Sequence, residues 1–224
     1  AANYGIPQRR ERVFIVGFRS DLNVKWSFPS ETHSLDALLT DLWVTGEYWE
    51  RHGISSRRKP SLSPALFAKV ERLRGLGLPP TRLPWRTVRD ALLDLPEPSA
   101  NGDKGIFANH RFQDGARAYP GHTGSPLDMP AKTLKAGDHG VPGGENMMVR
   151  GNGAVRYFSV RESARIQTFP DGYVLNGSWT EAMRQLGNAV PVALAHLVAA
   201  SVAKKLIAAN VQQKAAEKLG VMTQ

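Results

Sequence analysis

The sequence predicts an α/β protein, and three observations carry that expectation. The run Arg12-Val-Phe-Ile-Val-Gly-Phe-Arg19 is continuously apolar between its arginines, with β-branched and aromatic members, the pattern of a strand buried on both faces. Several other stretches place Ser or Thr ahead of apolar stripes at helical spacing, which predicts capped helices. Residues 96–155 are instead dominated by Gly, Pro, His and Asn with weak periodicity, which predicts a loop-rich insertion.

A chain of 224 residues can bury a real core as one moderate domain or two small ones, and 42% hydrophobic with 22% charged residues is a globular composition. The net charge of +9 points to a polyanion, either nucleic acid or an acidic membrane surface, with residues 101–155 nearly neutral. Cysteine is absent, so a disulfide, a thiolate metal site and a cysteine nucleophile are all excluded within these residues. No run approaches the ~18 apolar residues of a spanning helix. The start, which reaches Gln8-Arg-Arg-Glu-Arg12 at once, has no signal-peptide apolar segment. A cytoplasmic protein with no membrane contact is expected.

Taken in order, residues 1–8 read as an irregular loop, and the strand over 12–19 has no evident partner in the next hundred residues, so its sheet neighbours are expected outside this chain. Ser34 caps a helix carrying Leu35, Leu38, Leu39 and Leu42 on one face. Arg57-Arg-Lys59 is a solvated loop or a phosphate contact. Ser63-Pro64 opens a second helix with Leu66, Phe67, Val70 and Leu73 at core spacing, stopped by Gly75. Thr87-Val-Arg-Asp90 opens a third over Leu92 and Leu95, ended by Pro96. In the insertion, Phe107, Phe112, Tyr119, Leu127, Leu134 and Val141 can supply a small core, and Met147-Met-Val149 reads as a single strand. Ser159-Val-Arg-Glu162 is a capping box that starts a helix at Val160, and Ser178-Trp-Thr-Glu181 is a second, its helix terminated by Gly187. Pro191 begins the last helix, with Leu194, Leu197, Val198, Val202 and Leu206 facing the core and Lys204-Lys205 suiting its macrodipole. Beyond Asn210 the tail is polar and expected to fray.

Four clusters can carry chemistry. In an extended chain Gln8, Arg10 and Arg12 share one face and Arg9 and Glu11 the other, so two guanidiniums and an amide converge on a carbonyl or phosphate oxygen, unless they form a surface ladder with Glu11. Arg161 and Arg165, four apart on a helix, either contact DNA phosphates or pair with acids such as Glu162. Thr133-Leu134, flanked by Lys132 and Lys135, could set a hydroxyl and two cations on a backbone phosphate. Gly187-Asn-Ala-Val-Pro191 offers free backbone N–H groups and an amide as a small-ligand cradle, or is simply a Gly stop before a Pro start. Histidines 33, 52, 110, 122, 139 and 196 show no metal-ligand spacing with acids, and His196 is expected to pack. No Ser/His/Asp arrangement and no phosphate loop is present.

Together and in this order, the stretches are specific. Asn3-Tyr-Gly-Ile-Pro-Gln-Arg-Arg-Glu-Arg-Val-Phe-Ile-Val-Gly17 resembles the eighth motif of DNA (cytosine-5)-methyltransferases. Arg156-Tyr-Phe-Ser-Val-Arg-Glu-Ser-Ala-Arg-Ile-Gln-Thr-Phe-Pro-Asp171 resembles the ninth, and Gln185-Leu-Gly-Asn-Ala-Val-Pro191 the tenth. Thr133-Leu134 is similar to the Thr-Leu pair of that family's target-recognition domain, and Phe28-Pro-Ser-Glu-Thr-His-Ser34 and Thr87-Val-Arg-Asp90 match bacterial restriction-modification members. The resemblance covers roughly residues 1–208. It lacks the family's Gly-rich S-adenosylmethionine loop, its Pro-Cys nucleophile and its Glu-Asn-Val motif, all of which precede the eighth motif.

The resemblance implies a partial Rossmann-like methyltransferase sheet plus a C-terminal helix, with a loop-rich, mixed target-recognition domain. It divides the chain into 1–22, ending the catalytic domain; 23–178, the recognition domain with the ninth motif; 179–208, helices returning to the catalytic domain; and a tail, 209–224. It implies that Arg12, supported by Arg10 and Gln8, faces a flipped cytosine; that Asn188, Ala189 and Val190 line the S-adenosyl-L-methionine pocket shared with an N-terminal part; and that Arg161 and Arg165 brace the recognition domain. The implied partners are duplex DNA and the N-terminal part carrying the cysteine, in a bacterial cytoplasm at the nucleoid, with this chain alone inactive. A non-catalytic DNA specificity module and an RNA cytosine-5 methyltransferase fragment are the alternatives.

Overall fold

The computed structural model describes residues 1–100, 107–136 and 146–221, the last six by backbone alone, and its helices begin where the sequence places caps. Ser34 accepts from the Ala37 amide and opens α1 (Leu35–Thr40), which runs through one π turn, Asp41–Thr45, toward α2 (Glu47–Arg51). Ser63 accepts from Leu66 N and Pro64 stands first in α3 (Pro64–Leu76). Reciprocal capping boxes close on α4 (Val88–Ala91), from Thr87 and Asp90, and on α5 (Val160–Ile166), from Ser159 and Glu162. Ser178 caps α6 (Trp179–Asn188), but Glu181 turns its carboxylate to Arg184, so this second box forms by half. The last helix, α7, spans Val192–Val221.

Strands are minimal. β1 (His33–Ser34) pairs in parallel with β2 (Leu83–Pro84), while β3 (Ser125–Pro126) pairs in parallel with β4 (Met147–Val149), which pairs antiparallel with β5 (Val155–Tyr157). One core gathers Val88, Leu134, Met148, Phe158, Ile166, Met183 and Leu186, joining α4, α5, α6 and the insertion. A smaller one packs Leu38, Leu42, Tyr48 and Trp49 with Trp43 and Trp85 against it.

Several expectations need correction. Residues 12–19 join no strand ladder among the described residues, and Val13 and Ile15 are 90% and 95% exposed. A strand's amides and carbonyls need neighbours, and although Phe14 packs on Phe28 with ring centroids 5.7 Å apart, no backbone hydrogen bond joins residues 12–18 to another described segment. The described residues therefore hold none of the Rossmann-like ladder; the architecture is mixed α/β with small sheets. α3 passes through Gly75 and stops at Gly77, whose φ of +60° is the left-handed geometry that glycine tolerates. α4 stops after one turn at Ala91, short of Leu95 and Pro96. Gly187 lies inside α6, and the expected fraying tail continues α7 to Val221. Phe67, Phe112 and Tyr119 are exposed, so the insertion's core rests on Leu134, Leu127 and the β4 methionines, while Val141 and His139 lie outside the described residues. His196 is exposed rather than packed. Trp179–Ala215 is long and apolar enough to cross a membrane by length and composition, although no unbroken apolar run of that length occurs in it. The stretch is nevertheless divided at Ala189–Pro191 into two helices.

Candidate functional site

Three segments distant in sequence meet at one junction. The first, Pro7–Arg10, lies alongside the second, Ala131–Leu134: Arg9 N donates to Ala131 O at 2.8 Å, Ala131 N to Pro7 O at 2.9 Å, and the Thr133 hydroxyl to Arg9 O at 2.6 Å. The third is the end of α6. Arg10, 1% exposed, reaches across with one terminal nitrogen on Leu134 O at 3.1 Å and the other on Gly187 O at 2.6 Å. Burial first, and then the charge of Arg12, pull Arg10 down to about 10, still protonated at neutral pH.

Gly187 explains why α6 and the insertion touch so closely. A Cβ built on it falls 2.2 Å from Ala136 N, 2.5 Å from Lys135 C and 2.7 Å from Ala136 Cα, all backbone atoms. Any side chain there would have to displace the loop. The sequence signal was available, since a glycine in the interior of a capped helix costs about 1 kcal/mol and needs a packing reason. Gln167 Nε2 donates to Leu186 O at 2.6 Å, and Thr168, at φ 58° unusual for a β-branched residue, accepts from Ala193 N at 2.8 Å. The ninth-motif helix end thereby holds both α6 and the start of α7.

The predicted site residues divide accordingly. Gln8 and Arg10 do not share an exposed face with Arg12. Gln8 is fully buried with neither amide atom partnered, and consecutive tight hydrogen bonds, Gln8 N to Ile6 O and Arg10 N to Gln8 O, bend this segment away from extended alternation. Arg12 is exposed and, among the described residues, bonded only to the Glu11 carbonyl. Leu134 is core, not surface. Lys132 donates to the Thr123 hydroxyl at 3.1 Å and Lys135 is exposed.

The two helix arginines are placed as braces. Arg161 is 0% exposed and gives its donors to the carbonyls of Ala108, Pro170 and Tyr173, so its guanidinium has no face for DNA. Arg165 grips Asp171 with two nitrogens and reaches Leu93 O and Asp94 as well. Arg156 closes a buried bidentate pair with Glu162 at 2.7 and 2.6 Å, the same carboxylate that caps α5. Sequence spacing shows that two arginines lie on one helix face, but not which carbonyls a distant loop will bring to them.

At the end of α6 the expected cradle of free amides is mostly spent: Ala189 N bonds Gln185 O, Val192 N bonds Gln167 O and Ala193 N bonds Thr168. What remains outward is the side chains. Asn188 and Val190 are exposed between buried Leu186, Gly187 and Pro191, so an amide and an apolar branch are both open to a ligand there. Among the described residues no three His, Asp or Glu gather as metal ligands. Of the basic loop, Lys59 lies over the Trp49 ring at 5.6 Å and Arg57 and Arg58 are exposed.

Comparison with known proteins agrees with the ordered motifs. Residues 1–204 match the family described as C-5 cytosine-specific DNA methylase. The chain is 30% identical to the type II methyltransferase M.MthTI of Methanothermobacter thermautotrophicus, over 92% of the chain and 54% of that protein. It is 28% identical to M.SacI of Streptomyces achromogenes, over 92% of the chain and 50% of the relative, and 30% identical to M.NgoFVII of Neisseria gonorrhoeae, over 85% and 44%. The chain thus spans about half the length of the curated relatives it matches. With nearly its whole length aligned to that family and the three motif segments brought to one junction, this chain belongs to the C-5 cytosine-specific DNA methylases.

Proposed function

We propose that this chain is the DNA-reading and site-completing part of a DNA cytosine-5 methyltransferase of restriction-modification type, acting with a catalytic part that lies outside these 224 residues. The observation that carries the reading is the run Arg12–Arg19, whose Val13 and Ile15 stand almost wholly in water. Burying such a side chain is worth about 1.5–3 kcal/mol, so the run is a sheet edge awaiting its neighbours. Val190 and Val192 are exposed as well.

In this reading Arg12, exposed and charged, donates to the cytosine O2, while Arg10 and Gln8 hold the segment that presents it. Asn188, Ala189 and Val190 form one wall of the S-adenosyl-L-methionine pocket, the cofactor supplying the methyl group when bound. Residues 23–178 read the duplex. C5 becomes nucleophilic enough to take the methyl group only after a thiolate has added at C6, and with no cysteine here that thiolate belongs to the catalytic part. The setting is bacterial cytoplasm, with duplex DNA as partner.

The test is methyl transfer to duplex DNA. This chain alone transfers no methyl groups; mixed with a polypeptide carrying the Pro-Cys segment it does, and Arg12→Ala cripples that turnover while leaving DNA affinity within a few-fold. Transfer by the chain alone, or full turnover by Arg12→Ala, overturns the reading.

A further inference from the structure

Thr133 is the residue whose hydroxyl the sequence context, with Lys132 and Lys135 beside it, offers to a backbone phosphate, and here that hydroxyl is already engaged. It has one proton to give, and gives it to the Arg9 carbonyl at 2.6 Å. A phosphodiester oxygen only accepts, so an occupied donor has nothing to offer it. Arg9, fastened by the same bond, is placed differently. Its amide donates to Ala131 O and its carbonyl accepts from Thr133, so its backbone is held on both sides. Its side chain is exposed and makes no ion pair among the described residues.

That side chain opens on a cleft of about 560 Å³ whose lining includes Ala1, Arg9, Glu11, Arg12, Trp85 and Thr133. Its lining carries Arg9 and Arg12 against one carboxylate, Glu11, while the Arg10 guanidinium is turned away to Leu134 O and Gly187 O, and the excess of positive charge favours an anion. The opposite wall is held in place: Trp85 Nε1 donates to Asn3 Oδ1 at 2.9 Å, Asn3 Nδ2 to Glu31 at 2.6 Å, and Arg82 pairs with Glu31. With the polar edge of the indole used internally, its ring offers the cleft an apolar surface suited to a sugar rather than to charge.

Resting on the proposed function, we propose that this cleft binds one backbone phosphodiester of the DNA, with Arg9 as its ligand and Thr133 as the residue that holds Arg9 in place. Arg9 would then be a further DNA-binding residue, and Thr133 a positioning one. The Arg9 side chain is exposed and has no ion pair among the described residues, so its removal is expected to leave the fold intact.

The experiment is the binding of a fluorescent duplex to the full 224-residue chain, followed by anisotropy from low to moderate salt. Each phosphate contact adds about 0.9 to the slope of log affinity against log salt. Arg9→Ala is expected to weaken binding at every sequence and to reduce that slope by about 1, Arg9→Lys to restore the slope, and Thr133→Val to weaken binding while leaving the slope unchanged, because the cation remains but is no longer held. An unchanged slope in Arg9→Ala, or a slope reduced by Thr133→Val but not by Arg9→Ala, overturns the inference while leaving the proposed function standing. Failure of the wild-type chain to bind duplex overturns both.

Discussion

Replacing Gly187 by alanine reverses the ordinary sign of a helical glycine substitution. In a free helix interior alanine gains about 1 kcal/mol over glycine. At Gly187 the new methyl falls 2.2–2.7 Å from the backbone of Lys135 and Ala136, which cannot swing aside as a side chain end could. Overpacking of this kind costs about 1–3 kcal/mol. Moving the loop also breaks or stretches the charge-assisted bonds from Arg10 to Leu134 O and Gly187 O, worth about 1.5–3 kcal/mol for each bond lost. Loss of one such bond, with the overpacking and less the propensity gain, leaves a net destabilisation of about 3 kcal/mol. For a chain of 224 residues this lowers Tm by roughly 6–12 °C. Gly75 is the internal control, since it is also helical but its built Cβ meets nothing within 4 Å. Gly75→Ala is therefore expected to raise Tm by a few degrees in the same calorimetric scan. A Gly187→Ala variant as stable as wild type, or two glycines that respond alike, would refute the close approach of α6 to the insertion.

Two further outcomes follow from the braces. Arg161→Lys substitutes one ammonium for a planar fork that serves three separate carbonyls, which should destabilise by about 2–4 kcal/mol in urea titration and leave the salt slope of DNA binding unchanged; a reduced slope would make Arg161 a DNA contact after all. Hydrogen bonds from Arg165 hold the Asp171 carboxyl below its ordinary value. A carboxylate with a lowered folded pKa contributes stability above its unfolded value of about 3.9 and loses it as pH falls through the folded value. Asp171→Asn should therefore melt below wild type at pH 7, with the gap closing as pH falls below the ordinary carboxylate range. The gap is small because Asp171 is 41% exposed, and a gap that persists at low pH would show that the pair contributes nothing through charge.

By itself the sequence determined what is local. Ser34, Ser63, Thr87, Ser159 and Ser178 each cap the helix they precede, because a cap requires only a hydroxyl and an amide two or three residues on. The order of the motifs was equally legible and carried the family. What only the tertiary structure decided is where side chains with long reach end up. Arg10 and Arg161 bury themselves on carbonyls as many as 177 and 53 residues away, so whether an arginine braces the fold or faces DNA depends on which backbone arrives beside it. Thr133 reads as a phosphate contact until its hydroxyl is found on Arg9, and Gly187 reads as a stop until Ala136 is found against it. The run over 12–19 marks the boundary between the two. Its residues have the pattern of a buried strand, but a β-ladder is made between segments, and among the described residues this run joins none.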